Sequence, residues 1–184
     1  MSYRRTGVYV AFHAGDTTDP TESDIRYYNM LQAWNKNKDV DFSFINSHEK
    51  TAAVRDSSKK STLFDRLKER LRKSKNMVLI IGQTTRGDTD WVPAEIEYAV
   101  DTCEIPIIAA YPDFEYILAP EKLSYLCPDK LADRIDDETA RVIHIPFKRE
   151  PIVDAIAQFG PGNMPSGGLT YYTYESYKRW GIAD

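Results

Sequence analysis

The sequence predicts a doubly wound α/β domain, a mostly parallel sheet covered on both faces, and three observations lead there. Five short apolar runs rich in β-branched and aromatic residues recur along the chain. The segments between them carry apolar residues at helical spacing, which makes the connections crossovers and the strands parallel. A length of 184 residues at 42% hydrophobic composition supports one ordinary core and is short for two.

The elements follow in order. "VYVAF" (Val8 to Phe12) reads as the first strand. Thr21 with Asp24 resembles a capping box after Pro20, and Ile25, Tyr28, Leu31 and Trp34 then supply the buried stripe of a first helix. "DFSFI" (Asp41 to Ile45) is the second strand. A second helix is capped by Ser61 or Thr62, or begins near Ser58, with Leu63, Phe64, Leu67 and Leu71 inside and Arg66, Lys68, Arg70, Arg72 and Lys73 outside. "MVLII" (Met77 to Ile81) is the third strand, and after a polar loop a third helix starts near Val92, with Pro93 in its first turn. "IPIIAA" (Ile105 to Ala110) and "VIHI" (Val142 to Ile145) are the fourth and fifth strands. Pro151 opens a last helix with Ile152, Ala155, Ile156 and Phe159 on its inner face, and Gly160 ends it. Residues 1–160 therefore form the domain. Residues 161–184 form an extension whose glycines and prolines read as loop, while Tyr171, Tyr172, Tyr174, Tyr177 and Trp180 offer enough apolar surface to pack on the domain or on a partner.

Composition removes several classes of function. A net charge of -4 and the lack of a basic N-terminal arm argue against a nucleic-acid binder, and the basic run from Lys59 to Lys75 is read as the solvated face of a helix. No apolar stretch approaches the roughly 20 residues of a membrane span, and "MSYRRTGVYVAF" has no signal-peptide cleavage site, so a cytoplasmic protein is expected. Cys103 and Cys127 stand far apart without a C-x-x-C pair and are read as reduced thiols. Neither a Walker phosphate loop nor a G-x-G-x-x-G fingerprint is present, and His13, His48 and His144 lack metal-ligand spacing. No metal and no covalent serine are expected; for His144, inside a strand run, a core role is the better reading.

One carboxylate stands out. On the third helix, Val92, Ile96, Ala99, Val100 and Cys103 fall on the face that covers the sheet. At about 100° per residue, Glu95 lies roughly 85° from the centre of that face, on its boundary, whereas Glu97 lies on the other side with Asp101 and Glu104. Glu95 is also close to the helix N-terminus, directly after the loop that leaves the third strand, and ligands bind at that carboxyl edge in open parallel sheets. Spacing alone leaves two readings: a carboxylate favoured by the helix dipole, or a functional one.

Three ordered motifs carry a resemblance. "VYVAFHAGD", "MVLIIGQTT" and "DWVPAEIEYAV" occur in the order, and on the elements, of the TIR-like proteins, and most closely resemble the TIR-like subunit of the bacterial Thoeris anti-phage system, over Gly7 to Ala110. The family fold is flavodoxin-like with a five-stranded sheet. The resemblance implies that Glu95 occupies the catalytic glutamate position of NAD-cleaving TIR domains, and that Phe12 and His13 close the first strand on the substrate side. Asn46, Thr84 and Trp91 complete the candidate substrate-binding set. Ala11 stands where many TIR domains carry serine, the second-strand region "FSFINSHEK" matches only in character, and the tyrosine-rich tail lies outside the similarity.

The implied reaction suits these residues. Cleaving the nicotinamide to ribose bond develops positive charge on the sugar, and the leaving group, already cationic, needs no general acid. Glu95 would stabilise that charge; Phe12 and Trp91 would offer flat apolar surface to a ring, although Trp91 is equally read as a core anchor. His13 orients a phosphate or ribose, or is a neutral structural residue. Thr84 and Thr85 donate to diphosphate oxygens, or satisfy their own backbone. The expected function is thus an NAD-consuming enzyme of bacterial immunity whose cyclic or conjugated ADP-ribose signal reaches a separate effector, with NAD as substrate, no cofactor, and self-association on activation. A non-catalytic TIR or receiver-like interaction module and a nucleoside deoxyribosyltransferase are the alternatives.

Overall fold

Strand positions alternate between two cores. A computed structural model describes residues 5–15, 24–36, 44–45 and 57–184. Within it β1 (Gly7–Ala11), β2 (Phe44–Ile45), β3 (Ser74–Ile80), β4 (Ile107–Tyr111), β5 (Val142–Pro146) and β6 (Thr170–Tyr171) form one sheet in the order β2-β1-β3-β4-β5-β6, every pairing parallel. Tyr9, Ala11, Met77, Leu79, Ile107 and Ala109 face one side, where they meet Leu67 and Leu71 of α2 (Ser57–Lys73), Val92 and Ile96 of α3 (Trp91–Glu97) and Leu131 of α4 (Asp129–Asp136). Val8, Val10, Phe12, Val78, Ile80, Ile108 and Ile143 face the other side, against Tyr28 and Leu31 of α1 (Ile25–Lys36) and Ile152 and Ile156 of α5 (Arg149–Gln158). A period of two with both faces covered is what parallel strands between helical layers require, and each fully buried aliphatic side chain contributes about 1.5–3 kcal/mol.

The flavodoxin-like expectation therefore holds, with differences at its margins. The strand β3 begins earlier than its apolar run because Asn76, fully buried, donates from Nδ2 to the Ile156 and Phe159 carbonyls at 3.2 and 2.9 Å and so ties the strand to the end of α5. Between β4 and β5 the chain forms a 3₁₀ turn over Pro120–Leu123 and the short helix α4, which the sequence reading leaves unassigned. Thr21, the other half of the proposed cap on α1, lies outside the described residues, as do Asp41 to Ser43 of the second strand run.

The extension is not all loop. After Gly160 it adds β6 to the sheet and then α6 (Tyr174–Arg179), whose N-cap Thr173 accepts from the Ser176 amide at 3.4 Å. Tyr177 is fully buried and donates to the Ile117 carbonyl, while Tyr172 donates to Asp154 Oδ2 at 2.5 Å. His144 links this tail to the sheet: it lies between the Tyr111 hydroxyl and the Gly168 carbonyl, each at 2.9 Å, in the core role expected of it. Both cysteines are buried free thiols. Among the described residues no helix is long and apolar enough to cross a membrane.

Candidate functional site at the β1/β3 edge

The order of the sheet creates the site. The helix that follows β1 packs on one face and the helix that follows β3 packs on the other, so the carboxyl ends of these neighbouring strands are the switch point at which open sheets of this kind form a ligand crevice. Two loops line it. His13, directly beyond β1, meets Thr84, beyond β3, with Nδ1 and Oγ1 3.1 Å apart. Thr85, fully buried, accepts from the Gly82 amide at 2.8 Å and donates to Asp24 Oδ2 at 3.0 Å. Thr85 thus serves its own loop, whereas exposed Thr84 reaches the first-strand loop.

The glycine in this loop is required by contact. A Cβ at Gly82 would lie 2.4 Å from Asp24 Oδ1, so any side chain here would push the Asp24 carboxylate from its place beside Thr85. Asp24 is 6% exposed, and its carboxyl is raised above the usual range by burial first, opposed by the Thr85 hydrogen bond and by the charges of His13 and Arg26.

The third helix starts from a side-chain cap. Asp88 Oδ1 accepts from the amides of Asp90 and Trp91 at 2.8 and 2.9 Å, and Pro93 falls in the first turn where no donor is needed. After Glu97 the helix widens into a π turn over Tyr98–Thr102. Val92, Ile96, Ala99, Val100 and Cys103 are all buried, as their spacing predicts.

Glu95 departs from expectation. A helical wheel puts it on the boundary, yet it is 0% exposed. The wheel assumes one covered face, but α3 is flanked: Trp91 packs beside Phe64 of α2, with ring centroids 6.3 Å apart, and Glu97 pairs with Lys130 of α4 at 2.9 Å. Inside this enclosure Glu95 Oε1 accepts a hydrogen bond from the hydroxyl of Tyr9, itself fully buried. The Tyr9 phenol is pushed well above its ordinary range by burial, then by the Glu95 charge and hydrogen bond, with Arg70 acting in the opposite direction. Tyr9 is therefore a fixed donor and Glu95 the acceptor.

The candidate residues are thus only partly gathered. His13 and Thr84 touch, and Trp91 and Glu95 share α3. Phe12 lies on the α1 side, buried and stacked on Tyr28 at 5.2 Å, and Trp91 is half-buried against the opposite core. Asn46 and His48 lie outside the described residues. Glu97, read as one charge on an acidic flank, belongs instead to an ion network in which Arg134 bridges it and Asp101. Sequence reasoning missed Tyr9 and read Asp24 only as half of a helix cap, while Thr85 follows the second of its two readings and satisfies its own loop. A signal for Tyr9 was available: a tyrosine inside a buried strand needs a partner for its hydroxyl, and β1 alternation turns it toward α2 and α3. Among the described residues no group of three His, Cys, Asp or Glu side chains is placed to hold a metal ion.

Two matches to known proteins bear on this site. A solved structure, a 2-desoxiribosyltransferase from Leishmania mexicana, is 12% identical over 96% of this chain and 97% of that one, with a TM-score of 0.43. The family described as "Thoeris protein ThsB, TIR-like domain" matches residues 9–116, a stretch that begins at Tyr9 and takes in Asp24, Thr85 and Glu95. Since that stretch is more than half of the sequence, the chain belongs to the ThsB TIR-like domain family.

Proposed function

We propose that the protein is an NAD-consuming TIR-like enzyme that cleaves the nicotinamide to ribose bond and releases a cyclic or conjugated ADP-ribose signal for a separate effector. Membership of the family ties it to Thoeris anti-phage defence in general terms. The observation that carries the finer reading is the enclosed carboxylate of Glu95, held by Tyr9 at the helix start beside the β1/β3 crevice. Cleavage of this bond needs a negative group where the sugar becomes cationic, in a site with little water to screen it. The departing nicotinamide loses its own charge and asks for no acid. Nucleotide mass spectrometry on cells making the protein, with and without phage challenge, tests the reading. Loss of NAD with a new ADP-ribose species on challenge supports it; unchanged NAD in challenged cells defeats it.

The same enclosure favours a resting form with little activity, since no substrate reaches a carboxylate with no exposed surface. Activity is expected to rise with self-association, measured as NAD loss against protein concentration alongside light scattering. Full-rate turnover by the dilute monomer would sink this idea. Chelation by EDTA is expected to leave turnover unchanged, because the charge arithmetic needs no Lewis acid. Activity lost in EDTA and restored by one divalent ion would replace this mechanism.

A second reading draws on the same fact. A carboxylate that is wholly buried and hydrogen-bonded also suits a purely structural glutamate in a non-catalytic interaction module. NAD turnover by the parent protein under activating conditions separates the two, and Glu95→Gln tests whether this glutamate carries it. Base exchange on deoxynucleosides, followed in the same samples, separates the nucleoside deoxyribosyltransferase reading.

A further inference from the structure

We propose that Tyr9 is the positioning residue for Glu95: its hydroxyl fixes Oε1 and thereby sets how the carboxylate meets the reacting sugar. This rests on the NAD-cleaving reading above. Tyr9 sits in the middle of β1, in register with Ile45 of β2 on one side and Met77 of β3 on the other. A fully packed aromatic ring on an interior strand has only two side-chain torsions, so its oxygen is a rigid reference point against which a helical glutamate can be aimed. Glutamate is the more adaptable partner, with three torsions on a helix that loosens into a π turn directly after it.

The choice of partner is informative. A core tyrosine that only needs to satisfy its hydroxyl can use a main-chain carbonyl, as Tyr177 does with Ile117 in this same molecule. Tyr9 uses a carboxylate that follows it by 86 residues and comes from another layer. Among the described residues, Arg70 of α2 also acts on Tyr9, its charge opposing the effect of burial on the phenol, and Tyr28 of α1 reinforces that effect. With burial and Glu95 both favouring its protonated form, the phenol does not compete for the proton state of its partner; it only donates. A donor of this kind favours the ionised carboxylate that a developing sugar cation requires.

The test compares Tyr9→Phe, Glu95→Gln, the double variant and Tyr177→Phe, which removes a core phenol bonded to a main-chain carbonyl and not to Glu95. Nicotinamide release is measured under activating conditions from acid to neutral pH, with thermal melts of each protein. Tyr9→Phe is expected to lower kcat about tenfold or more with KM little changed, and to move the acid limb of the rate profile up by about one pH unit. It should have no further effect in the Glu95→Gln background. Tyr177→Phe should leave rate and acid limb as in the parent. Replacing Tyr9 by a difluorotyrosine, a stronger donor of nearly the same shape, should move the acid limb down, and this arm decides the matter if Tyr9→Phe does not fold. An unmoved acid limb in Tyr9→Phe, or in the difluoro protein, overturns the positioning role. If Glu95→Gln loses activity in that same assay, the proposed function still stands. Parental turnover in Glu95→Gln removes the catalytic role of Glu95 and overturns the positioning role of Tyr9 with it.

Discussion

Glutamine at Glu95 is expected to lower NAD turnover roughly a hundred- to thousandfold, on the order of 2.7–4 kcal/mol of transition-state stabilisation. The substitution keeps the size of the side chain and an oxygen for the Tyr9 hydroxyl to donate to, and removes only the charge. Stability should change little, because a weaker hydrogen bond is offset by relief from burying a carboxylate. Glu97→Gln supplies the contrast on the same helix. Its carboxylate is 42% exposed and pairs with Lys130 at 2.9 Å and Arg134 at 3.6 Å, so about 0.2–1 kcal/mol of stability is at stake and no chemistry. Turnover and melting of the three proteins under activating conditions check the contrast. Parental turnover in Glu95→Gln would make Glu95 a structural glutamate and place the catalytic charge elsewhere.

Acidification is expected to remove about 3 kcal/mol of stability through His144 alone. Burial lowers this imidazole from 6.5 to about 4 in the folded state, so between these values the unfolded chain binds the proton and the folded one does not. The neutral-ring contribution is complete above about pH 6.5, falls away as the pH drops toward 4, and changes no further below that; about 2.5 units at about 1.36 kcal/mol each give the figure. The hydrogen bonds explain the preference. Gly168 offers a carbonyl, so Nε2 must donate to it, and Nδ1 is left to accept from Tyr111. A proton on Nδ1 would set two donors against each other inside the core. Urea unfolding of the parent and of His144→Gln at pH 7, 5.5 and 4 checks this, because the amide can make both bonds without titrating. The advantage of the parent should shrink by about 3 kcal/mol across the series. The paired design matters because Asp24, raised by burial, changes stability in the opposite direction over part of that range. A constant difference between the two proteins would refute the assignment.

Much of this architecture is legible in the sequence for one reason: burial leaves a period. The inner faces of α2 and α3 and the centres of the five longer apolar runs follow from spacing alone because both sides of the sheet are dry. The period fails where polar groups are satisfied from afar. Asn76 stands outside the apolar run that marks the third strand, and its place in β3 follows only once the carbonyls at the end of α5 are known. The helix α4 buries Leu131 amid charged neighbours and is too short to establish a stripe. β6 has two residues, fewer than any alternation needs. At the site, the position of Glu95 on its helix is readable and its enclosure is not, because the hydroxyl that meets it belongs to the first strand. Phe12 illustrates the same limit: its place at the end of β1 is plain, but its stacking on Tyr28 depends on how α1 lies.

The sixth strand has a bearing on how copies of the protein can meet. A sheet edge is a row of unused donors and acceptors that another chain can extend. On the β5 side this row is taken by the chain's own tail, with Thr170 against Ile143 and Tyr171 against His144, and the tail is anchored beyond by Tyr172 and Tyr177. The outer rim of β6 spans two residues, too short a template for a neighbour's strand. Copies approaching from this side must make contact through helices and loops, because the sheet ends within each molecule at β6.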